Sequence, residues 1–108
     1  MTMKLIQKHL LKGTREFELL DEEVRVRIKS PFKEKELSVP LAILNPEPVV
    51  NNSQLDFHSR VKCGPMFSLD LNKPTAGEFN AFVDAVKAKA LKEYNAFAGL
   101  EQGGEGSD

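Results

Sequence analysis

His9 and His58 are the side chains of this sequence that could act as bases at neutral pH, and Cys63 is its one thiol. A nucleophile or metal pair from His58 and Cys63 fails on spacing. They stand five residues apart in an alternating stretch, so an extended strand points them to opposite faces. Cys63 shares parity with Phe57 and Val61, which predicts a buried, inert thiol. Ser68, His58 and Asp70 could be drawn into a hydrolytic triad, with His58 facing Asp70 across a hairpin turning at Gly64-Pro65. Neither a nucleophile elbow nor a glycine-rich oxyanion turn accompanies them, so a cross-strand polar pair is the simpler reading and a small hydrolase the remote one. Asp21, Glu22 and Glu23 lie at a turn, where solvation keeps their pKa values together rather than splitting them for acid–base work. No glycine-rich loop joins a strand to a helix, as phosphate-binding loops require. The sequence therefore yields no catalytic residue, no metal ligand and no cofactor.

Basic side chains carry the remaining chemistry. Arg25, Arg27 and Lys29 share one parity, and so do His58, Arg60 and Lys62. Side by side, the two rows would make an anion-binding surface suited to a phosphate-bearing ligand, such as a lipid headgroup or a cyclic dinucleotide. Hairpin geometry supplies a competing reading. A two-residue turn at Asp21-Glu22 sets Leu19 opposite Val24, Phe17 opposite Val26, Glu18 opposite Arg25 and Glu16 opposite Arg27. The arginines then face carboxylates across the hairpin. A three-residue turn at Gly64-Pro65-Met66 likewise sets Cys63 opposite Phe67 and Arg60 opposite Asp70. Exposed pairs of this kind contribute little energy but leave little net positive field.

The elements that must hold these residues follow from two periods. Strict alternation runs through Phe17–Leu19, Val24–Ile28, Leu37–Ile43, Leu55–Cys63 and Phe67–Leu71, the pattern of antiparallel strands with one wet face. Turn formers separate them at Ser30-Pro31, Asn45-Pro46-Glu47-Pro48, Asn51-Asn52-Ser53 and Gly64-Pro65. A sixth strand near Ile6 to Lys12 is the next candidate. After Pro74 the period changes. Thr75 and Glu78 have capping-box spacing, and Phe79, Phe82, Val83, Val86, Ala90, Tyr94 and Phe97 form one helical stripe. The helix is predicted over 76–98, with Gly99 as its stop. Tyr94, Phe97 and Leu100 would overhang the sheet and offer a docking end for a second copy or another protein. Residues 101–108 contain no apolar side chain and read as a frayed tail.

Strands followed by one helix predict an α+β fold: a curved antiparallel sheet or partial β-barrel of five to seven strands, closed by a C-terminal amphipathic helix and spanning residues 1–100. The order from Phe17-Glu18-Leu19-Leu20-Asp21-Glu22-Glu23-Val24 through Leu37-Ser38-Val39-Pro40-Leu41 to the Phe79–Tyr94 helix resembles pleckstrin-homology-like domains, including their short bacterial versions. That resemblance implies an interaction module. A poorer match is to PilZ-type barrels, which bind a cyclic dinucleotide. Here Asp56-Phe57-His58-Ser59 through Gly64 has their residue types at a different spacing.

Composition narrows the partners. The chain has 108 residues, 41% hydrophobic and 29% charged, and a net charge of -1. The even balance speaks against nucleic-acid binding. No apolar run approaches a membrane span, and Met1 to Leu11 lacks the apolar core of a signal peptide. One unpaired thiol suits the reducing cytoplasm. The expected function is a non-enzymatic cytoplasmic module that binds a protein partner or itself, with anion binding as the alternative.

Overall fold

The computed structural model describes residues 3–9 and 13–102, of which 97–102 are described as backbone. Seven strands, one 3-10 turn and one helix follow in order: β1 (Met3–His9), β2 (Gly13–Leu19), β3 (Glu23–Lys29), β4 (Glu34–Pro40), η1 (Leu41–Ile43), β5 (Val49–Asn51), β6 (Gln54–His58), β7 (Pro65–Asp70) and α1 (Ala76–Gln102). The strands form a four-stranded antiparallel sheet, β1-β2-β3-β4, and a three-stranded antiparallel sheet, β5-β6-β7. The fold is thus α+β, with two antiparallel sheets that do not close into a barrel.

Alternation sets the core. Leu5, Phe17, Leu19, Val24, Val26 and Val39 point inward from the larger sheet, and Leu55, Phe57, Phe67 and Leu69 from the smaller. The two sets meet directly, with the Phe17 and Phe67 rings 5.9 Å apart. The helix adds Phe79, Phe82, Val83, Val86 and Ala90 from the predicted stripe, and it packs against η1 and β1. No helix among the described residues is long and apolar enough to cross a membrane.

The β2–β3 register is the one that the Asp21-Glu22 turn demands: Leu19 faces Val24, Phe17 faces Val26, Glu18 faces Arg25 and Glu16 faces Arg27. Gly13 opens β2 at φ +88°, and a Cβ there would run into the backbone of Lys29 and Ser30 at the end of β3. Glycine is what lets β2 approach β3 so closely.

The helix begins as its sequence signature requires. Glu78 N–H donates to Thr75 Oγ1 at 3.1 Å, and the Thr75 hydroxyl lies 3.3 Å from Glu78 Oε1. Thr75→Ala is expected to lower stability by about 1 kcal/mol. Chemical denaturation checks this, and an unchanged midpoint would show that the cap contributes nothing.

Five sequence expectations change. The strand read from Leu37 to Ile43 ends at Pro40, and residues 41–43 turn as η1. Leu41 N–H then bonds Glu22 O at 2.9 Å instead of extending the sheet. The strand read through Cys63 ends at His58. Ser59 Oγ accepts the amides of Val61 and Lys62, both at 3.0 Å, and this bends the chain out of the sheet. Phe67 therefore pairs with Phe57, rings stacked at 5.1 Å, rather than with Cys63, and Asp70 pairs with Gln54 rather than Arg60. Cys63 falls in the bend and is exposed, not buried. Finally, the helix passes through Gly99 and continues to Gln102; the rest of the expected tail lies outside the described residues.

Candidate functional site

The structure distributes the six basic candidates over two sheets. Arg25, Arg27 and Lys29 belong to β3, whereas His58 ends β6 and Arg60 and Lys62 lie in the bend after it. Arg25 contacts Glu23 at 3.1 Å and Glu36 at 3.5 Å, and Arg27 contacts Glu36 at 3.7 Å. The arginines are thus matched by acids as the hairpin reading expects. The carboxylates in contact come from β4 and from β3 itself, although Glu18 and Glu16 stand opposite in register. Lys29 and Lys62 are exposed.

Arg60 has a different role from the one its parity suggests. Its guanidinium donates to Ala42 O, at 2.7 Å from Nε, and its Cζ lies 4.6 Å from the centre of the Tyr94 ring. Arg60 N–H also bonds Ile43 O, and Asn45 N–H bonds His58 O. These contacts sew the end of β6 to η1 and then to the helix. Tyr94, read as part of a docking end, is 42% exposed and carries this cation on its face. The side chains of Phe97 and Leu100 lie outside the described residues.

The hydrolytic constellation is not assembled. Asp70 stands opposite Gln54, and His58 stands opposite Pro65 beside a bulge. Ser68 donates to Asp56 Oδ1 at 2.6 Å, and Asn51 Nδ2 reaches Asp56 Oδ2 at 3.4 Å. Asp56, read as part of a wet face, is buried. Among the described residues, no group of three His, Cys, Asp or Glu side chains is placed to hold a metal ion.

Two features escaped the sequence reading. One is Gln7, a polar side chain only 1% exposed. Its amide donates to Asp70 O at 2.8 Å and Lys73 O at 2.9 Å, and accepts from Asp70 N–H at 2.8 Å. One side chain thus ties β1 of the larger sheet to the end of β7 in the smaller. Its parity with Leu5 was the available signal.

The other is an apolar groove. A cavity of about 810 Å³ runs between α1 and the Pro46-Glu47-Pro48 segment, floored by Leu55, Phe79 and Val83 and walled by Leu91. β5, next in sequence to Pro48, is one of the two edge strands of its sheet. Its apolar residues do not line the cavity but are open beside it, with Val49 53% and Val50 62% exposed, and Leu91 on the cavity wall is 49% exposed. The two-residue turn after Asn51 makes Asn51 and Gln54 a hydrogen-bonded pair, so Val50 and Leu55 form a non-bonded one. The N–H and C=O of Val50 therefore point away from β6. The periodicity of β5 was illegible because three residues are too few to show one. Compared with known proteins, the chain matches no family model, no curated protein and no solved structure.

Proposed function

We propose that this chain is a non-enzymatic protein-interaction module of the cytoplasm, whose partner lays an extended apolar segment into the groove between α1 and the Pro46-Glu47-Pro48 segment and along the neighbouring edge of β5. The observation that carries this reading is an open backbone edge joined by register to an apolar cleft: Val50 of β5 pairs with Leu55, which lines the cavity, although β5 itself does not. Val50 offers an outward N–H and C=O, while Leu55, Phe79, Val83 and Leu91 offer apolar contact beside it. Backbone pairing at a sheet edge supplies affinity for an extended peptide, and pockets for alternate side chains supply selectivity. Glu47, Asp84 and Lys87 at the groove give a mixed rim without a strong sign, which suits a peptide rather than a polyanion. A four-stranded sheet, a three-stranded sheet and a final helix support the resemblance to pleckstrin-homology-like domains, and the exposed thiol of Cys63 suits a reducing compartment.

A random-peptide display screen tests the reading. Selected peptides should carry apolar side chains at alternate positions and shift the amides of 49–51, Leu55 and 79–91. Leu91→Asp, on an exposed helix position, should keep the fold and weaken these peptides about tenfold or more. A screen without enrichment, a footprint elsewhere, or undiminished binding to Leu91→Asp would overturn the proposal. Dimerisation through this groove would overturn it too, in favour of a second copy as occupant.

A further inference from the structure

Arg15 occupies a position that the interaction reading leaves unexplained. It shares parity with Phe17 and Leu19, so it lies on the inward face of β2, at the mouth between the two sheets. It is half-buried there. The other arginines of the sheet, Arg25 and Arg27, sit on the outward face against Glu23 and Glu36. No hydrogen bond or ion pair holds the Arg15 side chain among the described residues. An inward guanidinium costs solvation and is ordinarily compensated by an anion.

The space around it divides at Arg15 itself. On one side is a polar cavity of about 440 Å³, in which Arg15 is joined by Lys73, Asn51, Asn52, Gln54 and Gln7. On the other is a recess of about 270 Å³ of mixed lining, in which Val26, Ile28, Leu37 and Met66 form the apolar side and Ser68 adds a hydroxyl. Arg15 and Gln54 line both, so they form the boundary between them. Arg15 is also the one charged residue of the recess. Within the polar cavity the cations Arg15 and Lys73, with His9 beside them, stand against a single acid, Asp70.

We infer that this cleft binds a small organic acid: its carboxylate on Arg15, a neighbouring amide or hydroxyl group against Gln54 and Asn51, and a compact apolar body in the recess. The planar guanidinium matches a carboxylate through two parallel hydrogen bonds. The lining's formal charge of +1, with His9 counted neutral, matches a singly charged head better than a phosphate dianion. The amide side chains are suited to a neutral polar group, and the recess has the chemistry of a branched aliphatic or aryl substituent. This cleft lies between the sheets and shares no lining residue with the groove beside α1; Asn51 belongs to both shift footprints, so Arg15 and Met66 report the cleft and Leu55 and 79–91 the groove, and either can fail without the other.

N-acetyl-leucine is the probe, because it carries a carboxylate, an amide and a branched apolar body, and N-acetyl-leucinamide is the same molecule without the carboxylate. Titration of the acid into the labelled full chain should give saturable amide shifts centred on Arg15, Gln54, Asn51 and Met66. The amide should bind about tenfold or more weakly, as loss of a charge-assisted pair requires. Arg15→Gln should weaken the acid to the level of the amide. Arg15→Lys, which keeps the charge but loses the fork, should recover only a fraction of the affinity and serves if Arg15→Gln does not fold. Phenyl phosphate distinguishes the heads, and it should bind more weakly than the acid. No saturable shift up to about 20 mM, a regime of roughly 2–3 kcal/mol, overturns the inference, as do equal binding of acid and amide, shifts centred elsewhere, or tighter binding of phenyl phosphate.

Discussion

Phe17→Ala is expected to destabilise the domain by about 3–5 kcal/mol, the range for deleting a fully buried aromatic side chain. Phe17 is 0% exposed and touches an aromatic partner on each of the other layers: Phe67 of the smaller sheet at 5.9 Å and Phe82 of the helix at 6.4 Å. Each tilted pair adds about 0.5–1.5 kcal/mol beyond the area it buries. A small domain is stable by only about 5–15 kcal/mol, so this one change removes a large share. Urea denaturation followed by circular dichroism gives the difference directly. A loss below about 1 kcal/mol, the typical effect of an arbitrary substitution, would mean that the sheets and the helix do not share one core at this residue.

Gln7→Leu is expected to be nearly as damaging, at about 3 kcal/mol, although it places an apolar residue at a buried position. The new side chain has a similar reach. It leaves Asp70 N–H, Asp70 O and Lys73 O without the amide that now serves all three. A buried polar group stripped of its partner costs about 1–3 kcal/mol, whereas the bond itself contributes less. Hydrogen exchange separates this cause from poor packing. The Asp70 amide should exchange faster in the variant than the decrease in global stability alone accounts for. An Asp70 amide that keeps its protection would show that Gln7 is not its partner.

These two residues differ in how far the sequence announces them. Phe17 is plain from its alternation with Glu16 and Glu18, and its partner Val26 follows from the turn at Asp21-Glu22. Local hydrogen bonds decide the cases that alternation does not reach. Alternation continues through Ser59, Val61 and Cys63, yet a hydroxyl on Ser59 takes the next amides and ends the strand. That single side chain shifts the β6–β7 pairing, exposes Cys63, and separates His58 from Asp70. The candidate sites were less legible than the fold for the same reason. The groove depends on a three-residue strand, and the inward Arg15 depends on where two distant sheets meet. Parity alone could have marked Arg15 and Gln7, since both fall in step with buried leucines and phenylalanines.

The outermost strands bear on how this protein behaves when crowded. β1 carries exposed Lys4 and Lys8, and β4 carries exposed Lys35 and Glu36. Lysines and prolines on outer strands oppose the stacking of one molecule's sheet onto another's. Ribbon formation between folded copies is therefore opposed at both borders of the four-stranded sheet, and sheet-to-sheet association of folded chains is left to the smaller sheet.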